Sequence, residues 1–75
     1  MARLQRVSGQ ELIRALQRLG FRVVRQRGSH VVMKKQTPEG EIGCAVPLHD
    51  ELAIGALRGI LRQAKVAVAD FEAAL

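Results

Sequence analysis

His30 stands in "RQRGSHVVMKKQ" (25–36), behind Gly28-Ser29 and between Arg25 and Arg27 on one side and Lys34 and Lys35 on the other. Histidine is the side chain that exchanges protons near neutrality. Neighbouring positive charge disfavours a further cation, so the imidazole is expected in the neutral form that accepts a proton. Two readings follow: a surface histidine in a β-hairpin, or a general base placed to act on a polyanion. The remaining chemistry-bearing residues narrow the field. His30, His49 and Cys44 fall on separate elements without metal-ligand spacing, so neither a metal nor a small-molecule cofactor is expected. Phosphate-binding glycine loops and the H-E-x-x-H pattern are absent. Cys44, between small and apolar neighbours, reads as an inert core thiol.

Metal-free cleavage of RNA is the reaction these residues suit. RNA carries its own nucleophile, the 2′-OH, and the protein has only to remove its proton and stabilise charge on the phosphorane. His30 can act as the base, a contribution of about 10²–10⁴-fold. Arginine or lysine beside it can hold the developing negative charge. The group that protonates the leaving 5′-oxygen stays open between Lys34, Arg27, His49 and water. DNA, lacking the 2′-OH, should resist. From chemistry alone, binding is favoured over catalysis, so a non-catalytic RNA-binding module and a protein-binding domain with a basic face stand as alternatives.

Charge supports a polyanionic or acidic partner. The 75 residues carry a net +5, with a sequence pI near 10.7. Residues 1–35 hold nine Lys/Arg against one acid, whereas residues 36–75 hold three against six. A basic half this lopsided points to nucleic acid or to an acidic protein surface. With no Tyr or Trp, and with Phe21 and Phe71 expected in the core, there is no base-stacking platform. Recognition then rests on phosphates, 2′-OH groups and shape. One cysteine excludes an internal disulfide and fits a reducing, cytoplasmic compartment. No apolar run is long enough to span a bilayer, and Met1–Gln10 lacks the apolar stretch of a signal peptide. Cytoplasmic location without membrane contact is expected.

Elements of one small domain, 1–75, must position these residues. Ser8 and Glu11 form an S-x-x-E capping box, with Val7 and Leu12 as its hydrophobic staple. Leu12, Ile13, Leu16 and Leu19 line one helical face, and Gly20 suits the closing position, which predicts a helix over 8–19. Its Gln10, Arg14, Gln17 and Arg18 read as a solvated face. "FRVVRQ" (21–26) and "SHVVMKKQ" (29–36) read as a hairpin whose three-residue loop "QRG" carries a G1 bulge at Gly28. That register buries Phe21, Val23, Val31 and Met33 and leaves Arg22, Val24, His30, Val32 and Lys34 on the other face. "TPEG" (37–40) is a turn and "EIGCAV" (41–46) a third strand with Ile42, Cys44 and Val46 inward. "PLHDELAIG" (47–55) is a loop or short helical turn. A helix over 55–64 presents Leu57, Ile60, Leu61 and Ala64, with Arg58, Arg62 and Lys65 on another face. "VADFEAAL" (68–75) reads as a short helix anchored by Phe71 and Leu75. The fold class is α+β, with a three-stranded antiparallel sheet covered on one face by helices.

"GFRVVRQRGSH", then "VPLH" and "GALRGILRQAKVAVADF", resemble the HicA toxin family from about Ser8 to Phe71. The pieces are Gly20-Phe21, Gly28-Ser29-His30, Val46-Pro47-x-His49 and Leu57-Arg58-x-Ile60-Leu61-Arg62-Gln63-Ala64. The resemblance implies a double-stranded-RNA-binding-domain-like fold and the toxin of a type II toxin–antitoxin system. It further implies a ribosome-independent mRNA endonuclease, or mRNA interferase, with a HicB-like antitoxin as partner. It makes His30 catalytic. Arg25, Arg27, Ser29, Lys34 and Lys35 are the expected RNA contacts, and Arg22, Arg27, His30, Lys34, Arg58 and Arg62 the expected antitoxin contacts. Two places depart from the family. Gly55-Ala56 replaces its usual Gly-Thr, and Ala64-Lys65 with Ala67 replaces its usual Ala-Gly and following Ser. Such changes remove a helix cap worth about 0.5–2 kcal/mol.

Overall fold

Ser8 starts the first helix as its sequence context dictates. In the computed structural model, which describes residues 4–75, the Ser8 hydroxyl accepts from Glu11 N at 3.0 Å. The Glu11 carboxylate in turn accepts from Ser8 N at 2.9 Å. The Ser8 backbone N–H that donates to it lowers the Glu11 carboxyl from its ordinary value. Met1–Arg3, part of the Met1–Gln10 stretch and of the domain expected over 1–75, lie outside the described residues. Helix α1 runs Gly9–Arg18 and closes at Leu19 and Gly20, whose φ is +98°. Val7 and Leu12 are both buried, as a hydrophobic staple requires.

Three antiparallel strands follow in the order β1-β2-β3: β1 Arg22–Arg27, β2 His30–Thr37 and β3 Gly40–Pro47. Helices α2 (Ile54–Gln63) and α3 (Val68–Ala74) complete the chain. The helices pack on one side of the sheet, and the other side is open. Val31, Met33, Cys44 and Val46 point from the sheet into the core, where they meet Leu12, Leu16, Leu57, Leu61 and Phe71. Leu57, Ile60, Leu61 and Ala64 form the buried stripe of α2 as its spacing predicts. This is the α+β layout expected of a double-stranded-RNA-binding-domain-like fold.

The first hairpin differs from expectation in a way that matters for His30. Its loop has two residues, Gly28 and Ser29, and Arg27 pairs with His30. Of these, Gly28 alone has positive φ, +58°, the pattern of a II′ turn. By itself a two-residue loop would turn His30 toward Phe21 and Val23. A bulge between Val23 and Arg25 absorbs one residue and restores the alternation. Val23 therefore still faces Met33, and Arg25 faces Val32. The bulge occurs at Val24 rather than at Gly28.

Burial corrects two further expectations. Val23 lies on the helix-facing side yet is 46% exposed, because α1 and α2 pack against β3, the inner side of β2 is buried at Val31 and Met33, and β1 is left overhanging. Leu75 is not an anchor: it is exposed, and Ala74 is buried in its place beside Phe71. Of the two readings of 47–55, the loop is the one observed over residues 48–53, and Leu52 within it is a core residue. Arg18, read as part of a solvated face, donates from Nη1 to the Ala74 carbonyl at 2.7 Å and closes the end of α3. Cap positions are also clarified. Ala53 is the N-cap of α2, so Ala56 lies inside that helix, while Ala67 caps α3 with no side-chain bond. Lys65 takes the left-handed φ of +56° that favours glycine.

Candidate nucleic-acid interface

Strand alternation builds the open face from the residues that point away from the helices. Across the sheet, Arg27, His30 and Pro47 form one row and Arg25, Val32 and Ala45 the next. Arg22, Lys34 and Gly43 follow, with Gln36 opposite Glu41 beyond them. His30 thus lies at one corner of the sheet, exposed, flanked by a guanidinium-bearing strand and a proline-bearing one. The cations are gathered on the β1 side of this face. β3 contributes only Glu41 and small or cyclic residues.

One acid divides the cations into two groups. Glu41 lies 3.3 Å from Lys34 Nζ and 3.9 Å from Arg22 Nη2, and it also accepts from Gln36 Nε2 at 3.0 Å. Arg25 and Arg27 have no carboxylate within ion-pair distance among the described residues. The charge most available to a phosphate therefore sits beside His30, on Arg25 and Arg27. These are exposed pairs, so Glu41 restrains Lys34 and Arg22 only weakly against a competing polyanion.

The corner that carries His30 is held by backbone bonds from a distant part of the chain. Leu48 N donates to Ser29 O at 2.7 Å, Gly9 N to His49 O at 2.9 Å, and Leu52 N to Val7 O at 2.8 Å. The loop after β3 is thereby laced to both the β1–β2 turn and the start of α1. Gly9 permits this, because a Cβ there would collide with the Pro47 carbonyl oxygen. His49 is exposed on that loop. The sequence contains the Val46-Pro47-x-His49 motif, but the link between this loop and the His30 turn exists only in three dimensions.

Not all residues singled out by sequence share this face. Arg22, Arg25, Arg27, His30 and Lys34 do, and Ser29 sits exposed in the adjoining turn. Lys35 points to the opposite side, with Nζ 5.7 Å from the Phe21 ring centroid. That geometry is a cation–π contact at the rim of the core. Arg58 and Arg62 are exposed on α2, where they line a groove with Leu4, Leu61, Val66 and Val68. They belong to the helical layer and not to the sheet face. Cys44 is buried, and desolvation pushes its thiol up to about 11, which suits a core residue. No three His, Cys, Asp or Glu side chains converge among the described residues. No helix among them is long and apolar enough to cross a membrane.

The arrangement places an imidazole at the edge of an exposed cationic surface. Among the described residues, the grooves lined by Arg58 and Arg62, by Arg6 and Glu51, and by Arg18 and Asp70 all lack His30. Residues 9–66 match the family model described as HicA toxin of bacterial toxin–antitoxin systems. No curated protein matches the chain.

Proposed function

The chain belongs to the HicA toxin family, and from that premise we propose that it is an mRNA endonuclease in which His30 is the general base. Membership of the family implies a toxin acting within a toxin–antitoxin system, and hence an antitoxin partner. The observation that carries the catalytic reading is the placement of His30. Its imidazole is exposed on the open sheet face, directly across from Arg27 and on the same side as Arg25.

In the proposed reaction His30 takes the proton from a 2′-OH as that oxygen bonds to the adjacent phosphorus. The bond from phosphorus to the 5′-oxygen breaks, and that oxygen takes a proton from water or from a neighbouring donor among Lys34, Arg27 and His49. The products are a 2′,3′-cyclic phosphate and a free 5′-OH. Arg27 and Arg25 stabilise the charge that accumulates on the non-bridging oxygens. No step requires a metal. Arg22, Lys34 and the exposed Ser29 hydroxyl extend the phosphate-binding track. Lys35 contributes through the field of the protein rather than by contact on this face.

Control by the partner follows from the same geometry. A surface with no lid is shut off by covering it. A HicB-like antitoxin that places carboxylates against Arg22, Arg27 and Lys34 would exclude phosphate from the charges that bind it. A contact to Arg58 and Arg62 would require that partner to reach around to the helical layer.

The decisive experiment is His30→Ala in the full chain. Cleavage of RNA should fall by about 10²–10⁴-fold. Thermal stability should change by less than about 0.5 kcal/mol, because the side chain is exposed. RNA affinity should remain near that of the parent. Undiminished cleavage by a folded His30→Ala protein would end the catalytic reading and leave an RNA-binding module. Absence of any RNA affinity in the parent would leave a protein-binding domain.

A further inference from the structure

All six residues of β1 are exposed. This is unusual for a strand in a sheet that is covered on one face, since β2 and β3 both bury residues on their inner side. The cause is the overhang described above: α1 and α2 pack against β3, at the far edge of the sheet from β1. Two of the three exposed large hydrophobic residues in the described chain, Val23 and Val24, lie together on this strand. β1 is also an edge strand, with one side of its backbone paired to β2 and the other unpaired.

We propose that the outer edge of β1 is the docking site for an extended, acidic segment of the antitoxin, which adds to the sheet as a fourth strand. An added strand would satisfy the unpaired backbone groups of β1 and cover Val23 from the helix-facing side. Its other face would meet Arg25 and Arg27. The segment that fits therefore alternates apolar and acidic residues. The charge on β1 argues against a second copy of this chain as occupant, because pairing β1 with itself would oppose arginine to arginine. Edge strands carrying charge and a bulge are in general protected against self-association. The same charges favour a strand of opposite sign.

This docking mode also explains how a partner could reach the catalytic corner without filling a pocket. Arg27 is the cross-strand neighbour of His30, so a strand that occupies Arg27 stands one strand away from the imidazole. The inference rests on the partnership implied by the family, not on RNA cleavage. It can therefore fail or hold independently of the role of His30.

Gln26 provides the test. A two-residue hairpin loop makes Arg27 and His30 the closing hydrogen-bonded pair, so by alternation the Gln26 N–H turns away from β2. A HicB-like antitoxin is the probe, mixed with the full chain. Hydrogen exchange of the Gln26 amide in the wild-type protein should slow at least tenfold on complex formation. Gln26→Pro, which removes that N–H, should weaken the complex at least tenfold. Gln26→Ala, which keeps it while losing the side-chain bond to the Gly28 carbonyl, should bind within about threefold of wild type. A complex in which the Gln26 amide exchanges at its free rate would overturn the proposal, even if Gln26→Pro does not fold. Protection that develops in the free chain as its concentration rises would assign the edge to a second copy and overturn it as well. Protection by RNA alone, with none added by the antitoxin, would do the same.

Discussion

β1 and β3 are the two edges of one sheet, and they have opposite relations to the rest of the molecule. β3 lies under α1 and α2, buries Cys44 and Val46, and shows the open face only Glu41, Gly43, Ala45 and Pro47. β1 lies beyond the helices, buries nothing, and carries Arg22, Arg25 and Arg27 on the open face. The edge that holds the fold together is thus almost free of cations, and the edge that carries the cations contributes little to the core. Arginines can gather on β1 because their desolvation is not required there. The separation lets the interaction surface change without disturbing the packing.

The largest expected contrast between the edges concerns Cys44. Burial raises its thiol to about 11 from a reference of 9.0. The folded state therefore favours the neutral thiol, and this contribution is intact below about pH 9. It is lost as the pH rises towards 11, because the unfolded chain then ionises while the folded one resists. Over that interval wild type should lose roughly 2–3 kcal/mol relative to Cys44→Ala. Denaturant melts of both proteins from pH 8 to 11 check this. Parallel curves would mean that the β3 side of the core is wetter than its burial indicates.

Truncating one valine on each edge tests the same division at constant pH. Val46→Ala should destabilise the protein by about 2 kcal/mol, from reduced burial and the cavity left behind. Val23→Ala, on the same face of the sheet, should cost less than about 0.5 kcal/mol. Equal losses in urea melts would show that β1 is packed after all.

Charge changes on the open face should affect binding and leave stability nearly alone. Replacing Arg25 or Arg27 by Ala should lower the slope of log K against log salt for RNA by about one for each phosphate left unneutralised. Glu41→Gln should act in the other direction, since it releases Lys34 and Arg22 from their carboxylate. Its RNA affinity should rise a few-fold, with a stability change under about 1 kcal/mol. RNA binding measured across a salt series separates these outcomes. An unchanged slope for both arginine variants would remove β1 from the RNA surface.

Two further effects lie outside both edges, at the junction of α2 and α3. Lys65→Gly should stabilise the chain by about 1 kcal/mol, because its left-handed backbone carries a side chain at a steric cost. Ala67→Ser should add a comparable increment by supplying the missing N-cap acceptor. Thermal melts of the two variants should shift upward, and RNA cleavage should stay as in the parent. A fall in stability for Lys65→Gly would mean that the lysine makes an interaction that offsets its strain.

Local sequence determined a large part of this protein. The Ser8–Glu11 capping box, the apolar stripe of α2, and the alternation of Val31 with Met33 and of Cys44 with Val46 each depend on neighbours a few residues away. Such patterns are readable because a capping bond, a helical turn and a strand pleat all have fixed short periods. The asymmetry of charge between the two halves was equally plain, as was the motif containing His30. Tertiary structure decided the rest. Whether the β1–β2 loop held two residues or three depended on a bulge at Val24, and that bulge keeps Val23 on the side where β2 buries Val31 and Met33. Val23 had the composition of a core residue, but the helices are too few to reach over a third strand. Lys35 and Lys34 are adjacent in sequence, and the pleat sends them to opposite faces. Arg58 and Arg62 matched the basic half in type, yet α2 must bury Leu57 and Leu61 against the sheet, which places both arginines in the layer away from His30. A side chain's chemistry belongs to its residue, but the face on which it acts is set by which neighbours exclude water, and that is a property of the whole fold.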